Sequence, residues 1–197
     1  MALAKEASYA SAHGPLRCRR GAGCRIPVPA CRRIHARLGV RDSAAAAGGS
    51  RGGIWIPVEG GAREPIGSRI VETPENPERT EILRDPRSGF IAYAPVGSVR
   101  KGEALVRRGG GKTIECGTCH GADLKGLGPV PGIAGRSPSY LVRQMYDMQA
   151  GARHGEWADL MKPVVARLDN DDLVNIAAYV SSLMPLPSTS SAAADGR

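Results

Sequence analysis

Two cysteines three residues apart, followed at once by a histidine, constrain this chain more than any other feature: Cys116-Gly117-Thr118-Cys119-His120. On a tight helical turn, two thiols at that spacing can each add to one of a porphyrin's two vinyl groups. The next residue then aims its imidazole at the iron. C-x-x-C-H is accordingly the spacing of covalent haem attachment. A small domain gains most from such a bond, because the cofactor becomes the centre of a core its residues are too few to build.

Other uses of these residues fit less well. A thioredoxin-like C-x-x-C follows a strand and opens a long helix in a βαβ setting. Here GGGKTIE precedes the pair and Gly121 follows it. A zinc ribbon needs a second Cys/His pair, and downstream there is only His154. The string Gly109 to Lys112 also lacks the first glycine and the preceding strand of a phosphate-binding loop. No Ser/His/acid set or paired carboxylates stand in a recognisable catalytic frame.

Helical signals frame the motif on both sides. Upstream, Ser98 is placed to cap a helix to Arg108, which Gly109-Gly110-Gly111 would end. Downstream, ADLKGLGPVPGIAG is a loop rich in Gly and Pro. Ser137-Pro138 then starts a helix with Leu141, Met145 and Met148 on one face, running to about Ala150 before Gly151. Trp157 to Leu168 reads as a short helix or turn containing Met161-Lys162-Pro163. Asp169 or Asn170 caps a last helix whose Leu173, Ile176, Ala177 and Val180 form an apolar stripe. Asp171 and Asp172 in its first turn suit the helix dipole.

In this order the features resemble the class I cytochrome c family, from about Val96 to Leu183. The resemblance is carried by KGEAL, CGTCHG, GPVPGIAGRSPSYL, the methionine before Lys-Pro, and LVNIAAYVSSL. GIAGRSPSYLVRQ and MKPVVARL with DDLVNIAAYVSSL especially resemble the small bacterial cytochromes c and their dihaem, two-domain relatives. The resemblance implies an all-α domain, with helices around one covalently bound haem c, over residues 96–184. A strand-containing linker over 54–95 and a disordered N-terminal segment over 1–53 would precede it, and a disordered tail over 185–197 would follow.

The resemblance also distributes roles. Cys116 and Cys119 would make the thioethers and His120 would be the proximal ligand. A methionine sulfur would be the distal one, raising the reduction potential. Met161 stands at the family's position, while Met145 and Met148 read as core and Met184 lies past the last helix. His154 is the alternative, giving bis-His ligation. A proline carbonyl after the motif would orient the imidazole, with Pro131 first choice and Pro129 second. Gly102 and Tyr179 match the close crossing of first and last helices. Tyr140 and Trp157 either contact the haem or simply pack.

Charge bears on partners. The chain has 27 basic and 19 acidic residues, a net charge of +8. Residues 1–53 hold ten basic groups against two acidic ones, whereas the remainder holds seventeen of each. The excess therefore describes only that Arg/Ala/Gly-rich quarter, which has neither a helical nor a strand period. It lacks the interleaved aromatics of a nucleic-acid arm and the apolar core of a signal peptide. We read it as disordered, or as an off-frame or mis-started reading of GC-rich coding sequence. A zinc site from Cys18, Cys24 and Cys31 with His13 and His35 has no C-x-x-C pair to anchor it. In residues 54–97, Ile54 to Val58 and Phe90 to Tyr93 are strand-like.

The expected function is that of a single-electron carrier, not an enzyme, with iron cycling between ferric and ferrous. The alternative is the electron-accepting subunit of a periplasmic dehydrogenase or oxidase complex. Partners would be redox proteins (a dehydrogenase, an oxidase or another cytochrome), including those of a membrane-associated respiratory complex, and not nucleic acid. The expected compartment is the periplasm.

Overall fold

The computed structural model describes residues 36–38, 44–46, 48–51, 54–58 and 63–183. The expectations for Cys18, Cys24 and Cys31 and for the tail after residue 184 lie outside them.

The helical part follows from its end signals. α1 (Ser98–Arg108) closes on Gly109, whose left-handed backbone lets its N–H reach Leu105 O. Its N-cap is Gly97, with no side-chain cap bond, so Ser98 is the first helical residue and not the cap. Buried against the fold, Ser98 is 3% exposed. α2 (Gly117–His120) is the single turn of the C-x-x-C-H motif. α3 (Pro138–Gln149) begins as expected, with Ser137 accepting from Tyr140 N and Pro138 at its first position. The expected turn over 157–168 is two short helices, α4 (Glu156–Asp159) and α5 (Lys162–Val165). Pro163 fits inside α5 because the first turn of a helix leaves its N–H groups unpaired. α6 (Asn170–Ser182) starts at a full capping box between Asp169 and Asp172.

α6 is the spine of the fold. Residues 172–181 are all buried, Asp172, Asn175 and Ser181 among them, so the covered surface extends well beyond the expected apolar stripe. α1 crosses it where Gly102 meets Asn175 and Tyr179. Arg107 locks the far end, donating Nε to Tyr179 Oη at 2.8 Å with its guanidinium over the ring. One core cluster joins Leu105, Val106, Leu124, Leu141, Val165, Leu168, Leu173, Ile176 and Val180. Met145, Met148 and Met161 pack on it, half-buried.

The strands are short. They are β1 (Ala36–Leu38), β2 (Ala44–Ala46), β3 (Gly48–Arg51), β4 (Ile54–Pro57), β5 (Arg63–Pro65), β6 (Val71–Pro74) and β7 (Phe90–Tyr93). β7 pairs in parallel with β1 and antiparallel with β6, while β2–β5 and β3–β4 are antiparallel pairs. A π-helical turn, Glu78–Ile82, links β6 to β7. β1, β2 and β3 thus fall in the 1–53 stretch expected to be disordered, which is ordered into strands there. Alanine and glycine carry no side-chain alternation, so backbone pairing forms there without a period to announce it.

The 54–95 stretch is more than a linker. Ile70 packs on the helical core. Glu72 Oε2 accepts from Ser137 Oγ at 2.9 Å and from Ser139 N at 3.1 Å, satisfying a free N–H at the start of α3.

Candidate haem site

The motif turn is organised from Cys116. Its carbonyl accepts His120 N at 3.0 Å and Cys119 N at 3.4 Å, and its own N–H reaches back to Val106 O at 3.0 Å. Both cysteines are free, Cys116 half-buried and Cys119 exposed. Burial pushes the Cys116 thiol up to about 11, so it stays uncharged at neutral pH.

His120 is buried, 8% exposed. Its Nδ1 lies 2.8 Å from Pro131 O. A carbonyl only accepts, so Nδ1 carries a proton, and in the neutral tautomer this selects Nε2 is the nitrogen with the free lone pair. Nε2 makes no hydrogen bond among the described residues.

Pro131 is delivered by a hairpin that sequence reading took for plain loop, β8 (Gly126–Leu127) against β9 (Val130–Pro131). Two glycines allow it. Gly126 has φ +100°, and a Cβ there would lie 2.8 Å from Gly132 N. A Cβ on Gly132 would lie 2.5 Å from Lys125 O. Pro129 sits in the hairpin turn, exposed, with no bond to the imidazole.

Met161 is the N-cap of α5. Its N–H is bound to Ala158 O and its carbonyl accepts Val165 N, each at 3.0 Å. Cys116 and Met161 pack on the same core cluster. His154, by contrast, is exposed in the 151–155 loop. Tyr140 and Trp157 are 45% and 60% exposed. Among the described residues, no three His, Cys, Asp or Glu side chains gather as a metal-binding group.

Three polar residues that sequence reading gave no site role fasten the 164–172 stretch, Lys112 and Thr113 from just before the motif and Gln149 from the end of α3. Lys112 Nζ pairs with Asp169 at 2.8 Å and Asp172 at 2.6 Å. Thr113 Oγ1 donates to Val164 O at 2.6 Å. Gln149 Nε2 donates to Val165 O and Leu168 O at 2.6 and 2.8 Å. Single polar residues beside glycines or a helix end carry no pattern that marks them in sequence.

The lysine cluster predicts a pH window. The Asp169 and Asp172 carboxylates raise Lys112 from 10.5 to about 12, so that contribution is complete below 10.5 and fades as pH rises through 12. Lys112 holds the Asp169 carboxyl below its ordinary 3.8, so that contribution is present above 3.8 and fades as pH falls through the lowered value. Lys112→Met is therefore expected to melt slightly below the parent chain between about pH 4 and 10.5. The gap should shrink with salt and close in acid, as read by thermal melts across pH. A gap that does not narrow as pH falls below 3.8 would contradict the ion-pair origin.

No family model matches the chain. Over 68 residues it is 41% identical to cytochrome c-554(548) of Halomonas halodenitrificans, covering 34% of this chain and 82% of that one. The chain belongs to the class I cytochrome c family. The cytochrome is also 38% identical over 84 residues to cytochrome c4 of Azotobacter vinelandii, covering 39% of this chain but only 40% of that one. A solved cytochrome c4 of Acidithiobacillus ferrooxidans overlaps 44% of this chain and 49% of its own at 30% identity and a TM-score of 0.41. Membership makes it an electron-transfer protein carrying haem c. Its residues fit that group: two free thiols on one turn, and a buried imidazole whose Nδ1 is held by Pro131 O while Nε2 is unbonded among the described residues.

Proposed function

We propose that this cytochrome binds one haem, with Cys116 and Cys119 as thioether donors, His120 Nε2 as proximal ligand and Met161 sulfur as distal ligand. When bound, the haem supplies an iron that exchanges single electrons between ferric and ferrous. Pro131 O keeps the proton on Nδ1 and fixes the ring's orientation, which raises the basicity of the ligating nitrogen. Met161 offers a neutral sulfur from the buried side of its turn, favouring ferrous iron. His154, out in solvent, has no such seat. The observation that carries the reading is the buried His120, bound through Nδ1 alone.

Such exchange needs a docking face rather than a substrate pocket. The partner in this reading is a redox protein of the periplasm (a dehydrogenase, an oxidase or another cytochrome), bound weakly over a small area. The periplasm is where thioether attachment takes place in this family. Expression of the full chain with a secretion signal and haem-maturation machinery is the test. Intact mass should rise by one haem, and the band should stain for haem after denaturation. An unmodified mass defeats the reading, and a rise of two haems defeats its stoichiometry.

A further inference from the structure

α5 is a single turn, so apart from Leu168 N, which donates to Val165 O at 3.1 Å, the carbonyls at its end have no backbone donor further along and take side-chain donors. Two side chains from separate elements supply them. Gln149, the last residue of α3, donates to Val165 O and Leu168 O. Thr113, three residues before Cys116, donates to Val164 O. All three bonds are partly shielded from water, where a lost partner is not fully replaced.

We propose that Thr113 and Gln149 are positioning residues for the Met161 sulfur. They fasten the turn that Met161 heads to the segment carrying the cysteines and to the end of α3. The inference rests on the reading of Met161 as the distal ligand.

The reasoning is mechanical. A methionine side chain is unbranched with three rotatable bonds, and a thioether is a weak neutral donor. Its hold on a metal therefore depends on where the backbone presents it. Val165 ties the two ends together, its N–H on Met161 O and its carbonyl on Gln149. Loosening the far end lets the near end move. An added ligand then competes in proportion to the fraction of time the sulfur is withdrawn.

The test uses the full, haem-loaded chain with Thr113→Val, which removes the hydroxyl but keeps the shape, and Gln149→Glu, which replaces donors by acceptors. Imidazole is titrated into the oxidised protein and followed by absorbance, and the reduction potential is measured beside it. Each variant should bind imidazole about tenfold more tightly, equivalent to about 1.4 kcal/mol of lost hold. Each should also show a lowered potential, while Thr113→Ser restores both. Unchanged affinity and potential in the two variants overturn the proposal, and Thr113→Val alone decides it should Gln149→Glu fail to mature. Met161→Ala is run in parallel to separate the two readings. If it leaves spectrum and affinity untouched, the ligand reading fails and takes the clamp with it. If it raises affinity while Thr113→Val and Gln149→Glu do not, the clamp alone fails.

Discussion

Met161→Ala is expected to abolish the sulfur-to-iron charge-transfer absorption of the oxidised haem-loaded chain. Its potential should fall by roughly 0.15 V, a modest part of the ~0.8 V span over which axial ligands set haem potentials. For one electron that is two to three decades, at ~59 mV per tenfold. The physical cause is the preference of a thioether for ferrous iron, lost when alanine leaves water or a stronger nitrogen donor in its place. His154→Ala should change neither quantity, because its side chain stands in solvent. Absorbance of the oxidised form and a redox titration decide the matter. A band that survives in Met161→Ala moves the distal ligand to another residue.

Gly102→Ala should damage the fold as severely as any single change in α1. A Cβ at that position would fall on the Asn175 carbonyl oxygen, 2.6 Å from its carbon and 2.8 Å from Cβ of Tyr179. Two of these three neighbours are backbone atoms of α6, so no rotamer change can clear the space. The helices would have to part, and with them Leu105 and Val106 on one side and Ile176 and Tyr179 on the other. Overpacking costs ~1–3 kcal/mol where side chains can give way. Here the cost should reach ~3 kcal/mol or more, against the ~5–15 kcal/mol that holds an ordinary domain together. Denaturant unfolding of the haem-loaded chain measures it. A variant as stable as the parent would mean that α1 can shift along α6 at little cost.

Much of the helical part was legible because each boundary residue does chemistry that its type announces. Ser137 with Pro138, Asp169 with Asp172, and Gly109 past Arg108 all stand where caps are needed. Ser98 misled because a hydroxyl residue before a helix is a fair cap, yet here the turn of Pro95 to Gly97 makes the entry and buries the serine. The β8–β9 hairpin was invisible for the opposite reason. Its two-residue strands have no period, and only the glycines that permit its backbone approach leave a trace. In the site, the cysteines and histidine form a spaced motif and Met161 is set off by Lys-Pro. Thr113 and Gln149 act through single bonds to carbonyls remote in sequence, and no local pattern encodes such a meeting.

Glu72 has a practical consequence for anyone dividing this molecule. The motif-bearing residues begin near Val96, and a cut there looks natural from the sequence. Such a cut would strip the carboxylate from the start of α3, leaving Ser139 N without its acceptor. It would also lift Ile70 off the apolar surface it covers. A start just upstream of Ile66, itself 2% exposed, would still part β7 from its neighbour β1, so an unbroken set of contacts reaches back to Ala36, well before the stretch that resembles a cytochrome.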